Sequence, residues 1–412
     1  MGPTTLFDKS FLQSLNLDES IWFDHFFISN ICPIFYIETL ADLEKNIKKG
    51  RPQEKVVGDI ALKFPDVHGM PNVFHWECFT HNLVGQQIPM TGQIFISQGR
   101  PVKVAGKTGV VVERTPEAEA FSRWQRHDFL FIERNFAHIW RRHQSNLDLT
   151  NPDKGLDALG FTRKPCRSIE EVKEISEEFV NTMQEEQLIS YLLLTNVHKE
   201  LIYMIIQKWR ESGKMPLSEY APYAAYIMTI DIFFLNAIRA GYISGNRQSN
   251  AVDMSYLYYL PFSMVFVSSD KLHRRCAPLF MRSDQEFVWG LDLKADLRKI
   301  DDYYRKFPEE EKNKGIITFA PYPPESEEFM VSQLWEHHLH TNRRPTPTPP
   351  PPKDDASRIV KDLNQFSDAP SLRPEEIDFD ISNPDAVMTK HLVPIKKGSW
   401  YILPKDTKPE AY

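Results

Sequence analysis

Four acidic residues stand where an apolar run ends or a helix begins. Asp8 follows T-T-L-F, Glu38 lies in I-C-P-I-F-Y-I-E-T-L-A-D-L, Asp253 opens D-M-S-Y-L-Y-Y-L-P-F, and Asp270 closes M-V-F-V-S-S-D. In an open parallel α/β sheet, the carboxyl ends of the strands and the first turns of the following helices meet in one crevice. Carboxylates gathered there suit hard divalent cations, which prefer oxygen and keep several waters for substrate phosphates. Two such ions about 4 Å apart repel by on the order of 16 kcal/mol at an effective dielectric near 20, and four carboxylates offset that. The chemistry expected is metal-dependent hydrolysis of a phosphodiester, with Mg²⁺ or Mn²⁺ as cofactor. Asp8 and Asp253 are the expected central ligands, with Glu38 and Asp270 completing the site directly or through water. Ser10 and Ser268 are placed to orient a carboxylate or touch phosphate, and Lys271 to meet the scissile phosphate. Asp231 interrupts I-M-T-I-D-I-F-F-L-N and needs a partner: Arg239, a backbone donor, or the metal site itself. Any one of these acids alone reads as a helix or turn cap; the ordered set points to metal.

The elements that must position these residues follow from periodicity. Residues 4–8 read as a buried strand running into Asp8, followed by a helix with Phe11, Leu12 and Leu15 on one face, and Asp18 or Ser20 starts the next. Pro33 suits a first helical turn, after which Glu38 and Asp42 share a face at i and i+4. Met264 to Ser268 is a β-branched strand preceded by a helix that ends near Pro261, and residues 286–291 hold another short strand. Ser168 with Glu170 and Glu171 reads as a helix start, and helical patterns continue over 169–211 and 218–241. Between Lys45 and Arg167 the pattern changes to Gly, Pro and short β-like runs such as Q-I-F-I-S and T-G-V-V-V-E-R. G-R-P-V-K-V-A-G-K-T-G lacks the spacing of a phosphate loop and reads as a turn-rich hairpin. The expected organisation is a first α/β part over 1–44, an inserted α+β subdomain over 45–167, a second α/β part over 168–300 and a helical extension over 301–344. A Pro-rich linker and polar tail follow over 345–412, with Pro345–Pro352 in polyproline form.

The stretch 122–143 places Arg123, Arg126, His127, Arg134, His138, Arg141 and Arg142 among Phe and Trp. Basic groups neutralise phosphates and aromatic rings stack on unpaired bases, which makes this the local candidate for holding RNA or single-stranded nucleic acid. The plainer alternative is an amphipathic helix with its aromatics in the core and its arginines in water. His75, Cys78 and His81 lack a fourth zinc ligand at suitable spacing, and His337, His338 and His340 form a similar low-specificity cluster.

Across 412 residues, hydrophobic content of 42% with 12% aromatics describes a globular chain. A net charge of −7 leaves no global basic field, so nucleic-acid binding must rest on a local patch. Four scattered cysteines without a C-x-x-C pair, an N-terminus lacking a secretory pattern, and an apolar stretch at 221–240 broken by Asp231, Asn236 and Arg239 predict a cytoplasmic protein without membrane spans.

The order of these motifs resembles that of PIN-domain nucleases: Asp8-Lys-Ser10 after a strand, helical Glu38, Asp-x2-Tyr-Leu-x2-Leu-Pro from Asp253, and an apolar strand closing in Ser268-Ser-Asp270. The resemblance covers residues 1–45 and 225–295. It implies a PIN-like three-layer α/β/α fold with a mainly parallel central sheet, four acids lining one metal pocket, and an endoribonuclease of toxin–antitoxin, RNA-processing or defence settings, with a protein inhibitor or partner in the first of these. Lys9, where small or hydroxylated residues are frequent, and the long gap between Glu38 and Asp253 depart from the pattern. Two other functions stay open: a catalytically silent scaffold that recruits proteins through the insertion and tail, and a hydrolase of small nucleotides behind a closed crevice. The sequence leaves the oligomeric state undetermined.

Overall fold

The computed structural model describes residues 2–45, 50, 52–95, 99–339, 353–381 and 385–407. Ten strands occur among them: β1 (Thr4–Phe7), β2 (Ile28–Ile31), β3 (Gly69–Pro71), β4 (Arg100–Val104), β5 (Lys107–Val112), β6 (Val265–Ser268), β7 (Glu286–Trp289), β8 (Ala386–Thr389), β9 (Lys396–Lys397) and β10 (Trp400–Tyr401). The central sheet has the order β3-β2-β1-β6-β7, and every neighbouring pair in it is parallel. Helices flank the sheet in the arrangement of a three-layer α/β/α fold. β1 and β6 are buried along their whole length, as their near-continuous apolar sequences require of parallel strands covered on both faces.

The chain builds outward from β1 in one direction through β2 and β3, then returns to the other side of β1 with β6 and β7. The strand order therefore reverses between β1 and β6, and an open α/β sheet has its crevice at such a switch point, beyond the carboxyl ends of the strands. The registers Thr5–Val265 and Phe7–Val267, with Asp8 N donating to Val267 O at 3.2 Å, bring the ends of these two strands level. Gly290 opens the helix Gly290–Arg305, and a Cβ there would collide with Ser269 Oγ and press on Phe11, so glycine lets this helix approach the crevice wall.

The segment expected as an insertion supplies the edge strand β3, too short and too rich in Gly and Pro to show a strand pattern in sequence. Its hairpin β4–β5 turns at Ala105 and Gly106, both at positive φ, and pairs in parallel with β8 from the segment expected as a polar tail. The basic stretch forms two helices, Pro116–Trp124 and Phe131–Ser145, broken where His127 takes a positive φ of 58°. In Q-I-F-I-S, Ile94 and Phe95 are not in a strand, and Ile96 and Ser97 lie outside the described residues, as do Pro345–Pro352 and His340. The second helix starts at Leu17 rather than Asp18 or Ser20, because Asn16 and Glu19 form a reciprocal capping box. Near the C-terminus, Trp400 is 3% exposed and donates to Asp301 Oδ1 at 2.7 Å, beside Trp22, which donates to the same oxygen at 3.0 Å. Two indoles on one carboxylate thus fasten the C-terminal segment to the core. The four cysteines are free thiols. No helix among the described residues is long and apolar enough to cross a membrane.

Asp231 lies in the buried helix Pro222–Arg239, where it accepts hydrogen bonds from the Tyr191 and Tyr258 hydroxyls. The sequence left Arg239, a backbone donor or the metal site as its partner; the two tyrosines claim it instead, because a carboxylate inside a helical layer must find donors locally. Burial pushes its carboxyl up to about 6, the hydroxyls pulling in the opposite direction. The folded state then keeps a proton that the unfolded chain, near 3.9, has lost. The stabilisation from this group is complete below about pH 4 and is lost as pH rises through about 6, by on the order of 3 kcal/mol. Asp231→Asn is expected to flatten the pH dependence of denaturant-measured stability between pH 4 and 6; an unchanged slope would contradict this.

Candidate functional site

Asp8 follows β1 and caps the helix Lys9–Ser14, its Oδ1 accepting from Phe11 N at 2.8 Å. Its Oδ2 accepts from Ser10 Oγ at 2.6 Å and from Ser268 Oγ at 2.9 Å. Ser268 is the last residue of β6, so this bond ties the two strands across the switch point. The same serine oxygen accepts from Asp270 N at 2.9 Å, and Asp270 caps the helix Lys271–Phe280 by accepting from Leu272 N at 2.6 Å. Both aspartates therefore serve as helix caps, and both caps face the same crevice.

His273, on the first turns of that second helix, joins two of the acids. Its Nε2 lies 2.6 Å from Asp253 O, its Nδ1 2.7 Å from Ser268 Oγ and 3.7 Å from Asp8 Oδ2. Burial alone would lower the imidazole, but Asp8, aided by Asp253, overcomes it and raises His273 to about 8. At neutral pH both ring nitrogens then donate, to the Asp253 carbonyl and to Ser268, whose own proton goes to Asp8. Burial would raise Asp8; the His273 imidazolium, Ser10 and the Phe11 N–H outweigh it and hold this carboxyl below the usual range. Asp253 differs. Burial pushes it up to about 7, with the negative charges of Asp270 and Glu38 adding to the push against His273 and Arg247, and its Oδ2 is buried without a hydrogen-bond partner. That mutual repulsion is the electrical signature of acids converging on one space.

Glu38 enters from the helix Pro33–Leu40, which begins with Pro33 in its first turn. Its Oε2 accepts from the Tyr256 hydroxyl at 2.8 Å and its Oε1 pairs with Lys9 Nζ at 3.1 Å. Lys9 is buried and also lies 3.0 Å from both oxygens of Asp42. Burial would lower the ammonium, but Glu38 and Asp42 together raise it above its ordinary value. Arg247, more than half exposed, reaches Asp270 Oδ2 at 3.4 Å and Asp253 Oδ2 at 3.8 Å with one nitrogen. The structure thus brings Asp8, Glu38, Asp253, Asp270, Ser10 and Ser268 together beyond the carboxyl ends of β1 and β6 and sets three cationic side chains among them. No three of the acids bring ligand oxygens within 4.8 Å of one another; Glu286, His337 and His338 are the one group among the described residues that does so and could hold a metal ion.

The basic helices meet the amphipathic expectation only in part, with Phe121 and Trp124 buried. Arg123 pairs with Glu133 and Arg134 with Glu54 inside the insertion, and Arg141 pairs with Asp42 and the Ala41 carbonyl, so this last arginine braces the insertion against the body. Arg126, Arg142 and Lys271 are exposed. Phe131, Ile132 and Ile139 are 79%, 68% and 65% exposed, so the apolar face of the helix Phe131–Ser145 is not buried in the core. Through Arg141 and Asp42 this helix abuts the Lys9 end of the crevice.

Lys9, Tyr256, Arg247 and His273 escaped the sequence reading. Lys9 had been visible as a departure from the motif, and His273 stands three residues after Asp270 on the following helix, a spacing that returns a side chain to the capping end. Tyr256 is the tyrosine of the Asp-x2-Tyr-Leu motif, where nothing marks it as a partner of Glu38, and nothing in the pattern marks Arg247. No protein-family model, curated protein or solved structure matches this chain.

Lys9 offsets the Glu38 and Asp42 carboxylates, and its loss leaves Glu38 with the Tyr256 hydroxyl alone and Asp42 with Arg141 and the exposed Lys45. Lys9→Met is expected to cost about 3–5 kcal/mol in urea-measured stability, and Lys9→Met/Asp42→Asn to recover most of it. A single variant within about 1 kcal/mol of wild type would show that Lys9 is dispensable to the crevice.

Proposed function

We propose that the crevice is the divalent-cation site of a PIN-like nuclease that hydrolyses RNA. The observation carrying this reading is the Asp253 Oδ2, buried without a hydrogen bond and reached by Arg247 only at 3.8 Å, beside three further acids at the switch point of a parallel sheet. A carboxylate in that state gains an oxygen-seeking cation at little cost in existing bonds. The spacing of the acids suits a hydrated ion such as Mg²⁺ or Mn²⁺, which keeps much of its water, better than a dry cage. Asp8, Asp253 and Asp270, with Glu38 at the rim, would hold it. Such a cation would acidify a bound water and orient it as the nucleophile for phosphodiester hydrolysis.

The chain's own residues prepare that site. Ser268 and Ser10 orient Asp8, and the His273 imidazolium keeps it ionised. Asp253 is partly protonated near pH 7, so ion binding there releases a proton. Arg247 is the mobile partner: its exposed arm leaves the acids for a substrate phosphate once a cation neutralises them. RNA, rather than duplex, suits the exposed Phe131, Ile132 and Ile139 with Arg142 alongside, because splayed bases offer flat apolar faces to such a surface.

The scaffold reading draws on a different observation. Lys9 and Arg247 already neutralise much of the acidic charge, which a protein without bound metal needs. Cleavage of labelled single-stranded RNA and DNA with Mg²⁺ or Mn²⁺ separates the two. The expectation is RNA cleavage by wild type, reduced at least 100-fold in Asp8→Asn and Asp253→Asn, with Asp253→Asn melting no lower than wild type in the metal-free state. Equal inactivity of all three on both polymers with both metals would establish the scaffold instead.

A further inference from the structure

A cluster of potential metal ligands lies at the opposite end of the sheet. Glu286 is the first residue of β7, paired in register with Val265 at the amino-terminal ends of the strands, whereas the acidic crevice lies beyond their carboxyl ends. Facing it is the last turn of the helix Met330–Leu339, which carries His337 and His338. That helix is anchored through Val331, Leu334 and Trp335, with the Trp335 indole donating to Phe26 O at 2.7 Å and Val331 N donating to Asp296 Oδ2 at 2.9 Å. The anchoring fixes where its last turn stands relative to β7.

We propose that Glu286, His337 and His338 bind a borderline divalent transition metal, Zn²⁺ foremost, which clasps the edge strand β7 to this helix. Three observations carry it. The ligand atoms of the three side chains all lie within 4.8 Å of one another. His338 is 3% exposed at its side chain, and its Nε2 is buried with no hydrogen-bond partner. Glu286 Oε2 stands 3.8 Å from that nitrogen, too far to hydrogen-bond but close to the spacing of two ligands sharing one ion. A tetrahedral Zn²⁺ with bonds of about 2.0–2.1 Å sets its ligand atoms about 3.4 Å apart. Closing from the observed spacing asks only for rotation of Glu286 and His337, both exposed, onto the fixed His338.

The chemistry of the donors selects the metal. Two imidazoles and one carboxylate suit zinc and its neighbours, while Mg²⁺ demands oxygen. The partial negative charge at the carboxyl end of the helix favours a cation at this turn. Three protein ligands leave the fourth position to water. The ion joins an edge strand of the central sheet to a helix held by Phe26 and Asp296, so its effect is structural and independent of the function proposed for the acidic crevice.

The test uses the full chain stripped of metal with chelator and then titrated with Zn²⁺ or Co²⁺. One equivalent is expected to bind with micromolar or tighter affinity, raise the melting temperature, and give the intense visible absorption of four-coordinate Co²⁺. Glu286→Gln and His338→Gln should each weaken binding at least tenfold and abolish the cobalt spectrum. Glu286→Gln alters an exposed side chain, which keeps the test valid if His338→Gln folds poorly. Asp8→Asn/Asp253→Asn should bind Zn²⁺ as wild type does, separating this centre from the acidic one. Zinc binding that is undiminished in Glu286→Gln, a six-coordinate cobalt spectrum, or millimolar affinity would each overturn the proposal.

Discussion

Carboxylates brought together at the reversal point of a parallel sheet repel one another, and a chain that folds this way must oppose that repulsion before any ion arrives. Here the opposition comes from three side chains of unlike character: a buried ammonium, Lys9, between Glu38 and Asp42; a buried imidazolium, His273, between Asp8 and the Asp253 backbone; and an exposed guanidinium, Arg247, over Asp253 and Asp270. Two are fixed by burial and one is free to leave. The asymmetry grades the acids. Asp8 is held ionised by its donors, whereas Asp253 is left with an oxygen that accepts no hydrogen bond and a carboxyl pushed up to about 7.

The rest of the architecture keeps this balance in place. Ser268 joins the ends of β1 and β6 through the same oxygen that receives Asp270, so the register of the two central strands and the geometry of the acids are one constraint. Arg141 carries that constraint outward, bonding Asp42 and the Ala41 carbonyl from the helix Phe131–Ser145. The inserted segment thereby reaches the crevice at its Lys9 end and presents an exposed apolar face beside it. At the other side of the molecule, Asp301 receives the indoles of Trp22 and Trp400 and closes the C-terminal segment over the first helical layer.

Much of the central sheet could be read from the chain because parallel strands covered on both faces are apolar runs with sharp ends: T-T-L-F and V-F-V-S stop at Asp8 and at Ser268 and Asp270. Pro33 and Ser168 marked their helix starts for local reasons, a missing N–H in one case and a capping hydroxyl in the other. What escaped was long-range. β3 has three residues and no periodicity, and β8 joins β5 across more than 270 residues. Lys9 stands out in the sequence only as a departure from the motif until Glu38 and Asp42 are seen to enclose it, and the aromatic helix that ought to hide its apolar face exposes it. Asp231 shows the converse: an acid in an apolar helix signals a partner, but only the fold reveals that two tyrosines answer it.

The account turns on whether the acidic crevice takes a divalent ion, and diffraction at the manganese absorption edge from crystals grown with Mn²⁺ tests that most directly. An anomalous peak among Asp8, Asp253 and Asp270, with Arg247 swung away from the carboxylates, is the predicted result. A crevice without such a peak, its acids still paired with Lys9, His273 and Arg247 in saturating Mn²⁺, would contradict it.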